Sequence, residues 1–416
     1  MLHLCFNLLS MGYKTYVLPN GIKLIHIQVS SPVAHCGFFI NTGSRDEAEY
    51  ELGLAHFIEH LLFKGTKKRK AFHVLSRLDD VGGELNAYTT KEETCIHASF
   101  LKEYYERTIE LISDIVFNST FQEKALESEK DVILDEINSY KDSPSELIFD
   151  DYEEHFFLDH PLGRNILGKT KYLKKYKQTD ILTFINKNYN TDQMAFASVG
   201  NISFARLIYL FEKHFRDIPV NIRSIKRIPF NNYQPFNKVL RKKTFQIHAI
   251  LGNLGYDLKD SRRMGLHLLS NIIGGPGMIS RLNLALRERK GYSYNIESSY
   301  TPYSDTGIFN IYFSTDKENL EKCFDTIHKE YDSLRNKPLG IVQLKKAKQQ
   351  IAGQLAISIE SNETQMLSIG KSYLVYDKVD TLKEIYTKIE SVTSTELMNI
   401  AGEILNKDRL SILIYK

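Results

Sequence analysis

The run ELGLAHFIEHLLFKG (51–65) limits the fold more than any other stretch of the chain. Between Leu54 and Phe63 the only strongly polar residues are His56, Glu59 and His60; the rest are Leu, Ala, Phe or Ile. A helix apolar all the way round has no face to give to water, so it must lie inside a sizeable core. Two imidazoles and a carboxylate go into that core with it, and unpartnered polar groups there would cost several kcal/mol. On a helix, positions i and i+4 share a face with i+3 beside them. His56 and His60 therefore stack one turn apart, and Glu59 projects next to the point where their ring nitrogens converge. One divalent cation satisfies all of them together. Zinc suits two imidazoles and needs at least one more protein ligand if a catalytic position is to stay open. The alternative is two core histidines bonded to backbone, with Glu59 as a surface charge at a helix end.

A third ligand is sought by the same periodicity. In FQEKALESEKDVILDEINSY (121–140) the apolar stripe at helical spacing runs through Ala125, Leu126, Val132, Ile133, Ile137 and Tyr140. Glu129 and Glu136 fall on it, seven residues apart, while Asp131 and Asp135 fall off it towards solvent. Two carboxylates on a core-facing stripe need a cation. The reading is metal ligation by Glu136, with Glu129 in a neighbouring role; the alternative is a stripe-edge carboxylate with its head in water.

At 416 residues the chain is too long for one core. The first half reads as strands with an Asn-Gly hairpin in YVLPNGIKLIHIQV, a strand VAHCGFFI, the HFIEH helix, a strand ETCIHASFL, helices over 102–141, and a closing strand QMAFASVG. Residues 218–240 hold three of the ten prolines and no sustained period, which marks a linker. The second half echoes the first: FQIHAILGNLGY, then GLHLLSNII, in which His267, Ser270 and Asn271 fall where His56, Glu59 and His60 stand. The fold class expected is α+β, with two homologous-looking domains, 1–217 and 241–416, each a largely antiparallel sheet packed with helices, and only the first retaining the imidazoles and carboxylate.

Composition removes other classes. Net charge is +3 with both signs interspersed, so nucleic acid is not expected as a partner, and the short clusters KGTKKRK (64–70) and LKKYK (173–177) read as solvated faces. Cys5, Cys36, Cys95 and Cys323 are scattered, with no CxxC pair, which argues against a disulfide framework or a thiolate zinc site. No run approaches the length needed to cross a bilayer. The start, MLHLCFNLLSMGYK, lacks a basic n-region, and Met11 is an alternative initiation point. The expected location is the cytoplasm.

HFIEH is the inverted zinc motif H-x-x-E-H, and Glu136 follows His60 by 76 residues in ESEKDVILDEI. This pairing resembles the insulinase/pitrilysin family of zinc metallopeptidases, in the branch like the mitochondrial processing peptidase. NTGSRDE, GGELNAYTTKEET, HPLGRNILG, SRLNLALRERKGYSYNIESSY and DTGIFNIYF fit as well, so the resemblance covers essentially the whole chain. It implies one zinc ion per chain held by His56, His60 and Glu136. Glu59 is then the general base that activates water, and Glu129 the glutamate that supports the site from behind. Asn86 and Ala87 resemble the strand edge where an extended peptide adds. Arg287 and Tyr294 resemble the arginine and tyrosine that the non-catalytic domain brings to the scissile carbonyl. The family usually has an apolar residue and Ala where Tyr292 and Ser293 stand, which makes Tyr292 a rival to Tyr294.

The function so implied is zinc-dependent endopeptidase activity on extended, unstructured peptides inside a clam-shell chamber, by a homodimer or with a related partner subunit. The competing reading is a catalytically inactive structural or substrate-presenting subunit of a two-chain peptidase.

Overall fold

The structure, a computed structural model, describes residues 12–416. The alternative start at Met11, the leader reading and Cys5 lie outside the described residues. By contacts the chain divides into two compact units. The first holds the described residues up to Ile137, then Arg164–Arg227 and Ala356–Leu382; the second holds Asn138–Gly163, Ile228–Leu355 and Lys383–Lys416.

The first unit is built on a six-stranded sheet: β1 (Lys14–Val17), β2 (Lys23–Gln28), β3 (Val33–Ile40), β4 (Glu84–Thr89), β5 (Thr94–Leu101) and β6 (Met194–Gly200). Their spatial order is β1-β2-β6-β3-β5-β4, antiparallel throughout except for the parallel pair β2 and β6. The Asn-Gly hairpin forms as the sequence requires. Leu18 N–H donates to Ile22 O and Gly21 N–H to Leu18 O, both at 2.9 Å, and Gly21 takes φ +96°, a conformation that favours glycine.

The second unit carries β7 (Asn237–Leu240), β8 (Ile247–Gly255), β9 (Ser293–Pro302), β10 (Gly307–Thr315) and β11 (Ser411–Tyr415), in the order β7-β11-β8-β10-β9. Only β7 and β11 run parallel. Leaving out β1, the two sheets have one topology, since first, last, second, fourth and third strand lie side by side in both. The elements between them match too. A helix follows the second strand of each set (Leu54–Leu61 and Arg263–Gly274), and another follows the fourth (Tyr105–Asn118 and Leu320–Asn336). The internal repeat is therefore structural.

Each sheet is covered on both faces. In the first unit one face packs against Phe57, Ile109, Ile112, Leu126, Ile133, Phe184 and Leu207 from five helices. Its other face, Ile25, Ile27, Phe39, Cys95 and Val199, packs against Met366, Ile369 and Tyr373 of the helix Asn362–Tyr376. That helix comes from the second half of the sequence. In the second unit Ile148, Tyr152 and Phe156 of the helix Pro144–Phe156, from the first half, cover Ile250, Tyr312 and Leu413. A sheet apolar on both faces needs two helical layers, and in each unit one of the two comes from the other half of the sequence. Cys36, Cys95 and Cys323 are free and buried. Among the described residues no helix is long and apolar enough to cross a membrane.

Two local expectations need correction. On the helix Glu123–Lys141 the buried residues are Leu126, Glu129, Lys130, Ile133 and Ile137, a stripe at spacings of 3, 4, 7 and 11 from Leu126. Val132 and Tyr140 lie off that stripe and are exposed. The KGTKKRK cluster is not simply a solvated face either. Arg69 donates to both oxygens of Glu110 (2.8 and 2.7 Å) and to Asp114 (2.6 Å), and Lys64 meets Glu129.

Candidate metal centre

The helix Leu54–Leu61 is buried along its whole length, with only His60 partly open to solvent. His56 and His60 stack as their spacing dictates, ring centroids 4.6 Å apart and planes at 68°. The helix Glu123–Lys141 brings Glu136 to them: its Oε2 lies 3.8 Å from His56 Nε2 and 3.7 Å from His60 Nε2. One ligand atom from each of these three residues falls within 4.8 Å of the others. Ligands at ordinary zinc bond lengths in tetrahedral array sit about 3.3 Å apart, so a divalent ion fits among these atoms with small side-chain adjustments. Two buried atoms here have no hydrogen-bond partner, Glu136 Oε2 and His56 Nδ1. The first is the oxygen that faces both imidazoles. A buried carboxylate oxygen left unpaired is costly, and a cation at this point satisfies it. Burial, then the neighbouring His60, lowers the His56 pKa to about 3, so its ring is neutral and its lone pair free for a metal.

The groups around this trio set its orientation. Glu129 Oε1 bonds His60 Nδ1 at 2.9 Å, which fixes the ring and leaves Nε2 open to a metal ion. The other Glu129 oxygen meets the Lys64 ammonium at 2.5 Å. Glu59 is buried, and its Oε2 accepts a hydrogen bond from Thr89 Oγ1 at 2.7 Å. Burial raises the Glu59 pKa, with the Thr89 bond and His60 pulling it down and Glu136 raising it.

β4 is the edge strand of the sheet and pairs only with β5 among the described strands. Asn86 and Ala87 lie on it, opposite His97 and Ile96. Strand parity puts Leu85, Ala87 and Thr89 on one face. Leu85 and Ala87 pack on the core that holds the His56 helix, and Thr89 reaches Glu59 from the same face. Asn86 is exposed.

Arg287 and Tyr294 belong to the second unit. Arg287 lies in the helical turn Asn283–Glu288 with its guanidinium 3.6 Å from Glu288, and Tyr294 is 74% exposed on β9. Its rival Tyr292 packs on the core of that unit, with the Lys290 and Lys322 ammonium groups 5.5 and 5.3 Å from its ring centre. In the second unit the positions that echo His56, Glu59 and His60 hold no carboxylate. His267 packs on the Tyr300 ring, 4.6 Å between centroids, and Ser270 bonds Ser298 at 2.9 Å.

Thr89 and Lys64 are absent from the sequence reading. The signal for Thr89 was its parity with Ala87, two residues earlier in NAYTT. Lys64 stood four residues after His60, inside a cluster read as solvated.

Residues 24–170 match Insulinase (Peptidase family M16), and residues 175–351 match the Peptidase M16 inactive domain. A Bacillus subtilis (strain 168) protein described as uncharacterized zinc protease YmxG is 31% identical over 96% of this chain and 98% of its own length. A Rickettsia bellii protein, also described as an uncharacterized zinc protease, is 31% identical over 97% of both chains. Among solved structures, a protease from Helicobacter pylori superposes with a TM-score of 0.87 at 20% identity, over 97% of this chain and 99% of that one. A peptidase M16 inactive domain from Pseudomonas fluorescens reaches 0.90 at 20% identity over 97% of both. The two structures establish likeness of fold, and the sequence matches establish descent: the chain belongs to the insulinase/pitrilysin family of metallopeptidases.

Proposed function

We propose that this chain is a zinc-dependent endopeptidase that hydrolyses extended, unstructured peptides. The observation that carries the reading is the convergence of His56, His60 and Glu136 within 4.8 Å, with the Glu59 carboxylate on the same helix. Zinc, when bound by these three side chains, supplies Lewis acidity at that point. Glu59 takes the proton of the attacking water and returns it to the leaving amine. Thr89 holds the Glu59 carboxylate by one oxygen, which leaves the other for the proton. Glu129 keeps the His60 ring in one orientation. An extended peptide adds to the free edge of β4 at Asn86 and Ala87, through main-chain hydrogen bonds that read backbone more than side chains. Two residues beyond Ala87 the strand reaches Thr89, so a peptide along this edge lies beside Glu59.

The proposal extends to Arg287 and Tyr294 as donors to the developing oxyanion, a role that rests on the resemblance. The clam-shell enclosure and the homodimeric or two-chain assembly belong to it as well, and sedimentation of the purified chain tests the assembly. The deciding experiment is product mapping by mass spectrometry from a mixed peptide library, with wild type and Glu59→Gln in parallel and zinc measured in both. Zinc in both proteins, with internal cleavages only in the wild type, is the expected result. Cleavage that persists unchanged in Glu59→Gln, or a wild type that holds no metal, overturns the reading.

A further inference from the structure

The phrases NTGSRDE and HPLGRNILG take no part in the chemistry above, yet both meet at the first turn of the His56 helix. A helix leaves its first backbone N–H groups unsatisfied, and the usual remedy is a Ser, Thr, Asp or Asn side chain at the N-cap. Here the N-cap is Gly53, at φ +88°, and a Cβ on it would stand 2.7 Å from Leu167 O and 2.8 Å from the Gly168 Cα. No side chain fits there, so the cap must come from elsewhere.

It comes from Glu47. One carboxylate oxygen accepts from Gly53 N–H at 3.0 Å and the other from Ala55 N–H at 2.9 Å. Glu51 O accepts from Leu54 N–H between them. Glu47 is buried, at 4% exposure, and the loop carrying it is held on both sides. The Arg164 guanidinium donates to the Glu47 main-chain oxygen. Asp46 receives Arg227 on both oxygens (2.9 and 2.7 Å) and Arg223 at 2.7 Å. Burial raises the Glu47 carboxyl to about 8 even against the downward pull of the two N–H groups and Arg164; the two N–H contacts, one to each oxygen, are those of the ionised form.

We propose that Glu47 is a positioning residue for the metal centre, clamping the start of the Leu54–Leu61 helix so that His56 and His60 present their nitrogens to one point. Ala55, which it holds, directly precedes His56. Metal sites tolerate ligand displacements of only about 0.2 Å, and an eight-residue helix gives its first turn a large share in setting the direction of the whole. The inference rests on the metallopeptidase reading for its functional meaning.

Glu47→Gln tests it, because an amide keeps the size but offers only one acceptor and turns an N–H₂ towards a donor. The expected result is a zinc Kd about tenfold or more weaker by chelator competition, the scale of effect seen when groups behind a metal ligand are changed. Faster amide exchange at residues 53–57 in the metal-free protein, and a lower kcat at unchanged KM, are expected with it. Glu51→Gln is the matched control: its carboxylate accepts Ala48 N–H in the same loop at 2.7 Å, and zinc affinity should not move. Wild-type zinc affinity in Glu47→Gln overturns the proposal, as does equal weakening in Glu51→Gln. If Glu47→Gln does not fold, the metal-free wild type decides: slow exchange at Gly53 and Ala55 supports the clamp, and solvent-like exchange refutes it. A wild type that binds zinc yet cleaves no peptide removes the peptidase reading and leaves this comparison intact.

Discussion

Lys64→Met removes the cation from Glu129 while keeping the length of the aliphatic stem. Glu129 is 3% exposed and its two oxygens meet His60 Nδ1 at 2.9 Å and Lys64 Nζ at 2.5 Å. Removing one partner of a buried ion pair costs about 3–5 kcal/mol. Lys64 is about a third open to water, so screening brings the figure down to about 1–2 kcal/mol. The structure assigns where that cost falls. Glu129 orients the His60 ring, so on the proposed metal reading a displaced carboxylate frees a ligand, and zinc affinity should drop about 10-fold to 100-fold. Zinc affinity by chelator competition and thermal unfolding of the metal-free protein measure the two effects separately. Lys64→Arg should recover most of the loss. In a Glu129→Gln background the same Lys64→Met change should do little, because its partner charge is already gone, giving a coupling of about 1–2 kcal/mol. Additive effects of the two substitutions, or an unchanged zinc affinity in Lys64→Met, would refute the chain of contacts from Lys64 through Glu129 to His60.

Thr89→Val removes the hydrogen bond that Thr89 Oγ1 donates to Glu59; hydrogen bonds to charged groups are worth about 1.5–3 kcal/mol, so kcat should fall tenfold or more with zinc content unchanged, and a fall in zinc content instead would place Thr89 elsewhere. Met366→Ala, at a fully buried site, should cost about 2–5 kcal/mol, and hydrogen exchange should show the loss in β2, β3 and β6 rather than β8 and β10. His26 is lowered to about 4, first by burial, against backbone bonds to Ile202 and Ser198 that raise it. Its folded form is therefore neutral, and its contribution to stability is complete above 6.5 and lost as pH falls towards 4; at pH 5.5 the loss is about 1–2 kcal/mol. Urea unfolding of wild type and His26→Asn at pH 7.5 and 5.5 checks this, since the variant should lose less on acidification.

What was legible in the sequence divides along a physical line. His56, Glu59 and His60 were readable because helical spacing is a local property, and a polar trio inside an apolar run has few explanations. Glu129 and Glu136 were readable from the same period, although Val132 and Tyr140 were drawn onto a stripe that passes them by. The doubled topology showed as a weak echo. The layer that covers each sheet did not show at all, because the helix Asn362–Tyr376 packs on β2, β3 and β6 across more than a hundred residues of chain. Lys64 was lost for a different reason: a lysine among lysines carries no sign of which one meets a buried carboxylate.

Glu47 marks the boundary of what spacing can reveal. A helix opening on glycine with no Ser, Thr, Asp or Asn at its N-cap announces that its N–H groups must be met from outside. Four acids stand just upstream, Asp46, Glu47, Glu49 and Glu51. Period and composition do not separate them. Asp46 turns to Arg223 and Arg227, Glu49 to solvent and Glu51 to Ala48 N–H, which leaves the task to Glu47. That selection is made by the arginines from 164, 223 and 227, which fold back on the loop from far along the chain. A side chain that acts on its own helix writes a period into the sequence; one that acts on another segment's backbone writes none, and only the fold identifies it.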